Sequence, residues 1–266
     1  MSGTAKRLDL GAVGVVDQQT FSHYPAIPPP VELHLANLPD HACPYLAGRT
    51  ATDRAVWAES IPAAVYEQFM DCGFRRSGKL LYQPACRGCR ACLPLRVPVA
   101  HFRPDKSQRR CRRRNSDLRI TVGPLCCSEE KLGVYRRYVA DWHGRPEPEH
   151  ASAFESFLYD SPLETTVEFE YRDNVGRLLA VGICDVCPGS LSSVYFYFDP
   201  DESRRGLGTF GVLEEIEFAR RMGLPHYYLG YWVQGCGAME YKGNFRPNEV
   251  LDPDGVWRCR EAEPCR

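Results

Sequence analysis

Three cysteines at a three-residue repeat, Cys86, Cys89 and Cys92, stand in a segment that also carries Arg75, Arg76, Lys79, Arg87, Arg90 and Arg96. A tight turn between cysteines so spaced brings two sulfurs to one metal centre, and nearby arginines favour the thiolate form that binds metal. Zinc and iron–sulfur sites both use this spacing. Cys43, in Cys-Pro-Tyr-Leu, is the fourth ligand the reading selects, with Cys72 and Cys111 behind it. The competing reading is a set of reduced thiols that fill a compact loop as small hydrophobes.

A second chemistry is electrostatic. Between Arg103 and Arg119, eight basic residues (Arg103, Lys106, Arg109, Arg110, Arg112, Arg113, Arg114, Arg119) face two acidic ones, Asp105 and Asp117, which leaves +6 in a chain whose net charge is -1. Such a run can neutralise several phosphates and release their counterions, the signature of a nucleic-acid surface. A third lies in Arg204-Arg205-Gly206-Leu207-Gly208, after a strand-like Val-Tyr-Phe-Tyr-Phe and before an apolar helical pattern. Strand, glycine loop and helix in that order form an anion site, because free amides and the helix dipole converge there.

The elements that must hold these groups divide the chain. Residues 1–30 close on Tyr-Pro-Ala-Ile-Pro-Pro-Pro and read as a loosely ordered lead-in; 62–72 has the spacing of a short helix ended by Gly73. Leu93 to Phe102 alternates around Pro94 and Pro98 and reads as an edge strand. Leu118–Val122 reads as a strand, and Glu129–His143 as a helix with Tyr135, Tyr138 and Trp142 on a core-facing stripe. A short helix near 151–160 precedes strand-like runs at 165–172, 178–184 and 191–198, a helix from Thr209 to Met222 and a strand at 227–232. The expected division is a cysteine-rich, basic domain at 1–116 and a mixed α/β (α+β) domain at 117–266. The hydrophobic fraction of 44% suits a globular protein. No apolar segment is long enough for a signal peptide or a membrane span, and the odd count of 13 cysteines argues against a complete disulfide framework. Reduced thiols in a cytoplasm are therefore expected.

The strand, glycine loop and helix resemble the acetyltransferase (GNAT) fold, with Ser203 where that fold's pyrophosphate loop has Gln or Arg. Three further segments resemble the arginyl/leucyl-tRNA protein transferase family: Cys43-Pro-Tyr-Leu-Ala-Gly-Arg49, Gly73-Phe-Arg-Arg-Ser-Gly78 through Cys92-Leu-Pro-Leu-Arg96, and Tyr228-Leu-Gly-Tyr-Trp-Val-Gln-Gly-Cys236 continuing to Phe245-Arg-Pro247. The compact length and the Cys-x-x-Cys-x-x-Cys form look like its bacterial leucyltransferase branch. The resemblance implies a GNAT-like catalytic domain, a mixed sheet flanked by helices, that takes aminoacyl-tRNA in place of acyl-CoA. It implies transfer of leucine, or alternatively arginine, to proteins beginning with Asp or Glu, which marks them for degradation in the N-end rule pathway. Some eukaryotic relatives bind an iron–sulfur cluster or heme through N-terminal cysteines; here the second thiol of that motif is absent at Leu46.

On this reading Lys106, Arg109, Arg110, Arg112, Arg113 and Arg114 contact tRNA, and Arg204, Arg205, Gly206 and Gly208 hold its terminal phosphates. Arg75, Arg76 and Arg246 are the guanidinium groups for the acidic N-terminus. Tyr241 and Lys242 stand near the acceptor, with Tyr231 a hydrogen-bond donor. Cys43, Cys86, Cys89 and Cys92 form the metal set, although transfer from an activated ester requires no cofactor and no covalent enzyme intermediate. Cys236, without an evident His partner, is assigned a structural role. The other readings are a CoA-dependent acetyltransferase, which leaves the +6 run without a purpose, and a metal-containing RNA-binding protein, which leaves residues 228–247 unexplained.

Overall fold

A run of alternating apolar residues from 166 to 198 forces the architecture. Its three strands join a sheet that helices cover on both faces, and the middle one, Leu178–Val186, is buried along almost its whole length. The computed structural model describes residues 35–144, 146 and 150–260; the polyproline lead-in lies outside them.

The strands run in chain order as β1 (Ala36–Asn37), β2 (His41–Ala42), β3 (Thr50–Ala51), β4 (Asp53–Trp57), β5 (Arg75–Ser77), β6 (Leu80–Pro84) and β7 (Leu93–Pro98). They continue as β8 (Arg119–Pro124), β9 (Thr166–Arg172), β10 (Leu178–Val186), β11 (Ser190–Phe198), β12 (His226–Trp232), β13 (Glu249–Leu251) and β14 (Trp257–Cys259). The helices that bear on the site are α1 (Ala63–Asp71), α2 (Lys106–Arg114), α3 (Glu129–Arg137, extended by a π turn over Tyr138–Trp142), α4 (Ala151–Phe154), α5 (Leu207–Arg221) and α6 (Gly237–Glu240). Eight strands form one sheet in the order β14-β13-β7-β12-β11-β10-β9-β8, and four form a smaller sheet in the order β1-β4-β6-β5.

In the large sheet only β11 and β12 pair in parallel, over Ser190 to Ser192 against His226 to Tyr228. Beyond that the ladder stops. β11 bulges at Val194, since Ile183 pairs Tyr195 and Cys184 pairs Ser193, and β12 bulges at Leu229 against β7. Bulges on adjoining strands re-aim them, and the two splay apart.

Alternation along β11 sets the layers. Tyr195 and Tyr197 pack against Tyr135 of α3, while Phe196 between them lies on α5, so the helices cover opposite faces. A Cβ on Gly211 would sit 2.2 Å from the Phe196 ring, which requires glycine at that crossing. Of the expected aromatic stripe, Tyr135 and Tyr138 are buried but Trp142 is 52% exposed, against Phe198.

Two expectations are corrected. β7 is interior, between β12 and β13; Pro94 and Pro98 lie outside the two positions, Leu95 and Arg96, that β13 pairs, so their missing N–H groups cost that ladder nothing. Because β7 and the buried Phe102 and Cys111 belong to the large core, packing divides the chain ahead of residue 93 rather than at 116. The smaller unit has its own cluster of Tyr66, Phe69, Met70, Phe74 and Leu81, which Leu163, Cys187 and Tyr228 of the large unit close. In α1, Val65, Tyr66, Phe69 and Met70 share the buried face, and Gly73, at φ +88°, ends the turn.

Candidate functional site

The basic run folds as α2 because Asp105 and Gln108 form a capping box, each side chain bonding the other's backbone N–H. Its last turn is Arg112-Arg113-Arg114, where cations suit the helix dipole. The buried side of α2 meets the glycine loop. The Cys111 thiol donates to Gly206 O at 3.4 Å, Asn115 Nδ2 to Arg205 O at 3.0 Å, and Arg114 Nη1 to Arg204 O at 2.5 Å. Gly206 takes φ +71° and starts α5, whose first amides have no intrahelical acceptor. At the other end of α2, Gln108 Nε2 donates to Asn244 O at 3.1 Å, beside Lys242. One helix thus joins the glycine loop to a turn 38 residues further along the chain, from Gly206 to Asn244.

Not every arginine faces outward. Arg112 bonds Glu214 at 2.8 Å and Leu213 O at 3.2 Å, tying α2 to α5. Arg205 makes a two-pronged pair with Asp117 at 2.9 and 3.0 Å and a third bond to Glu202 at 2.8 Å. Both therefore hold the fold rather than a phosphate. Lys106, Arg110, Arg113 and Arg204 spend no side-chain nitrogen on another described residue, and Arg109 only bonds Pro104 O.

The adjacent arginines of β5 part ways. Arg76, 5% exposed, is consumed by Asp185 of β10 through Nε–Oδ2 at 2.7 Å and Nη2–Oδ1 at 2.8 Å. Its place is in a buried ion pair, not at a substrate. Arg75, 6% exposed, points to the splay, where Nη2 donates to Ser193 O and Nη1 meets Met70 Sδ at 3.6 Å. Lys242 comes to the same place from the turn after α6; burial and Arg75 push its ammonium down to about 7, with Cys236 opposing. Arg246 turns back to Gly243 O at 3.3 Å. That carbonyl also accepts from Asn248 and Arg260, so the turn bearing Lys242 is held from behind.

Tyr231 donates its proton to Gly73 O at 2.8 Å, joining the end of β12 to the smaller unit, and its ring stands 6.2 Å from that of Tyr82. Burial raises both hydroxyls, and Tyr45 of the Cys-Pro-Tyr-Leu turn likewise. Tyr241 packs on Phe245, and burial and Glu215 push its hydroxyl up to about 12. Glu215 itself went unforeseen. It sits on α5, 1% exposed, takes a 2.5 Å bond from Tyr227 and lies over Gly182; burial pushes its carboxyl up to about 7. Nothing but its place in an apolar helical stretch could have flagged it.

Of the four cysteines, Cys43 and Cys86 accept N–H bonds from Leu46 at 3.4 Å and Thr52 at 3.5 Å. The Ala91 N–H, then Arg49, lower the Cys89 thiol, whereas burial and the other three sulfurs push Cys92 up to about 12. Among the described residues no three or more His, Cys, Asp or Glu side chains are set to hold a metal ion.

A surface groove of about 510 Å³ between β8 and α5, lined by Ile120, Phe169 and Phe218 among others, holds none of these residues. Volume does not mark this site. A splayed strand pair, a helix start with free amides beside it and cations on its floor are an arrangement suited to acyl transfer. Sequence models of two families match: arginine-tRNA-protein transferase, N terminus, over 41–110, and arginine-tRNA-protein transferase, C terminus, over 130–252. The aspartate/glutamate leucyltransferase of Halorhodospira halophila is 44% identical over 231 residues, which cover 83% of this chain and 94% of that protein. That of Stenotrophomonas maltophilia K279a is 42% identical over 228 residues, covering 83% and 91%. Among solved structures, L-PGS from Bacillus licheniformis aligns over 64% of this chain and 50% of that one, at 14% identity and a TM-score of 0.44. The chain belongs to the arginine-tRNA-protein transferase family, among the aspartate/glutamate leucyltransferases, and is an aminoacyltransferase.

Proposed function

We propose that this protein transfers leucine from leucyl-tRNA to the α-amine of proteins beginning with Asp or Glu and so marks them for degradation. The observation that carries the reading is α2, which lines its outer side with cations for RNA and runs from the glycine loop to the turn bearing Lys242. The tRNA backbone lies along Lys106, Arg109, Arg110, Arg113 and Arg114, and its terminal phosphates lie at Arg204 and the first amides of α5, including Gly208. The aminoacyl ester then enters the opening between β11 and β12.

There the substrate amine, as the free base, attacks the ester carbonyl. The N–C bond forms, the C–O bond to the ribose breaks, and the amine's proton leaves with the ribose oxygen. The ester is already activated, so holding the two partners in line supplies most of the acceleration. A charged tRNA as donor supports a cytoplasmic setting for the reaction. Among the described residues no helix is long and apolar enough to cross a membrane.

Radiolabelled leucine, and separately arginine, offered on tRNA to a model protein beginning with Asp, Glu or Ala tests this. Leucine on the acidic termini alone is expected. Arginine transfer would change the donor, and no transfer from either would sink the reading. Metal analysis of anaerobically purified protein reports separately whether the cysteines take zinc or an iron–sulfur cluster.

A further inference from the structure

Arg75 and Lys242 converge from two units of the fold on one small space. A Cβ built on Gly230, which takes φ +89° beside the β12 bulge, would lie 3.3 Å from Lys242 Nζ and 4.0 Å from Arg75 Nε. The charged or titratable neighbours acting on Lys242 are Arg75 and Cys236, and those around Arg75 besides Lys242 are Tyr66, Tyr82, Cys184, Cys187 and Tyr231. Neither cation has a carboxylate partner among the described residues. This is unlike Arg76 next door, which Asp185 neutralises in full. A buried guanidinium and a half-buried ammonium brought together without a carboxylate counter-ion are costly unless an anion arrives to pair with them.

We infer that Arg75 and Lys242 together receive the side-chain carboxylate of the acceptor protein's first residue, and that Gly230 keeps the space for it open. The inference rests on the leucyl-transfer reading and names the acceptor subsite within it. A guanidinium fork grips a carboxylate in its plane, and an ammonium closes the remaining lone pairs as a point charge. Arg75 is 6% exposed, so the anion that reaches it must sit at the tip of a slender chain. A side-chain carboxylate does; a phosphate inside a polynucleotide carries a nucleoside on each side. The tRNA charges of α2 and Arg204 are exposed, as a polymer requires.

The test compares kcat/KM for peptides beginning Asp and Asn, and Glu and Gln, at saturating leucyl-tRNA, in the wild type and Lys242→Met. The wild type prefers acid over amide. Lys242→Met is expected to cut that preference about tenfold or more, the worth of a charge-assisted hydrogen bond, through KM for the acidic peptides, with leucyl-tRNA affinity unchanged. Arg75→Lys, which keeps the charge and loses the fork, should fall between. An unchanged acid-to-amide ratio in folded Lys242→Met overturns the inference. So does an equal loss on both peptides, which marks a role in the chemistry, or a loss of tRNA affinity, which marks a phosphate site. A wild type that transfers leucine to no peptide instead overturns the reading beneath.

Discussion

At Lys242 recognition and ionisation meet. With its ammonium held down to about 7, chiefly by burial and then by Arg75, Lys242 titrates near neutral pH while the site is empty. A bound carboxylate favours the charged form, so binding an acidic N-terminus above pH 7 draws a proton from solution. The expected outcome is a ratio of KM for the Asp peptide to KM for the Asn peptide that climbs between pH 7 and 9, the titration of the reacting α-amine being common to both; Lys242→Arg should flatten that ratio. Glu215 yields a stability prediction of the opposite kind. Its carboxyl moves from 4.5 to about 7 on folding, so the folded protein holds that proton more tightly. The associated stability is complete below pH 4.5 and is lost as pH rises through about 7. Cys184, Tyr171 and Tyr241 face the same carboxyl and stay neutral through that range. Glu215→Gln mimics the protonated state. Urea unfolding should find it more stable than wild type at pH 8, by at most on the order of 3 kcal/mol, and little changed at pH 5.

Between elements, Arg76 and Asp185 fasten β5 of the smaller unit to β10 of the large sheet. Arg76→Ala leaves a carboxylate buried without a partner and should cost roughly 3–5 kcal/mol in denaturant unfolding, whereas replacing both residues by apolar ones should cost much less. The sequence could not say which of two adjoining arginines does this. Neighbours on a strand point to opposite sides, so Arg75 and Arg76 part by one residue of register. Strands 9 to 12 and α5 were legible because their apolar spacing matches their burial. β7 resembles an edge in sequence, yet proline excludes a ladder only at the positions where it would have to donate; α2 hides its helical pattern behind charge. Its capping box, Asp105-x-x-Gln108, stood in plain view.

Across the whole molecule, a net charge of -1 coexists with one basic face. Arg110→Ala with Arg113→Ala should reduce the slope of log affinity for leucyl-tRNA against log salt by roughly 1.4–1.8, at 0.7–0.9 for each phosphate that loses its cation. Turnover at saturating tRNA should hold. Filter binding across a salt series checks it. The charge run was visible in the sequence, and so was the glycine loop; their meeting was not, because Arg114 and Arg204 touch across 90 residues of chain. That helix also has a mechanical side. Cys111 and Asn115 brace it on the donor's loop and Gln108 braces it on the acceptor's turn, so α2 is a beam resting on both. Whatever load falls on the beam is delivered at both supports, so a shift of the glycine loop and a shift of the turn bearing Lys242 share one lever.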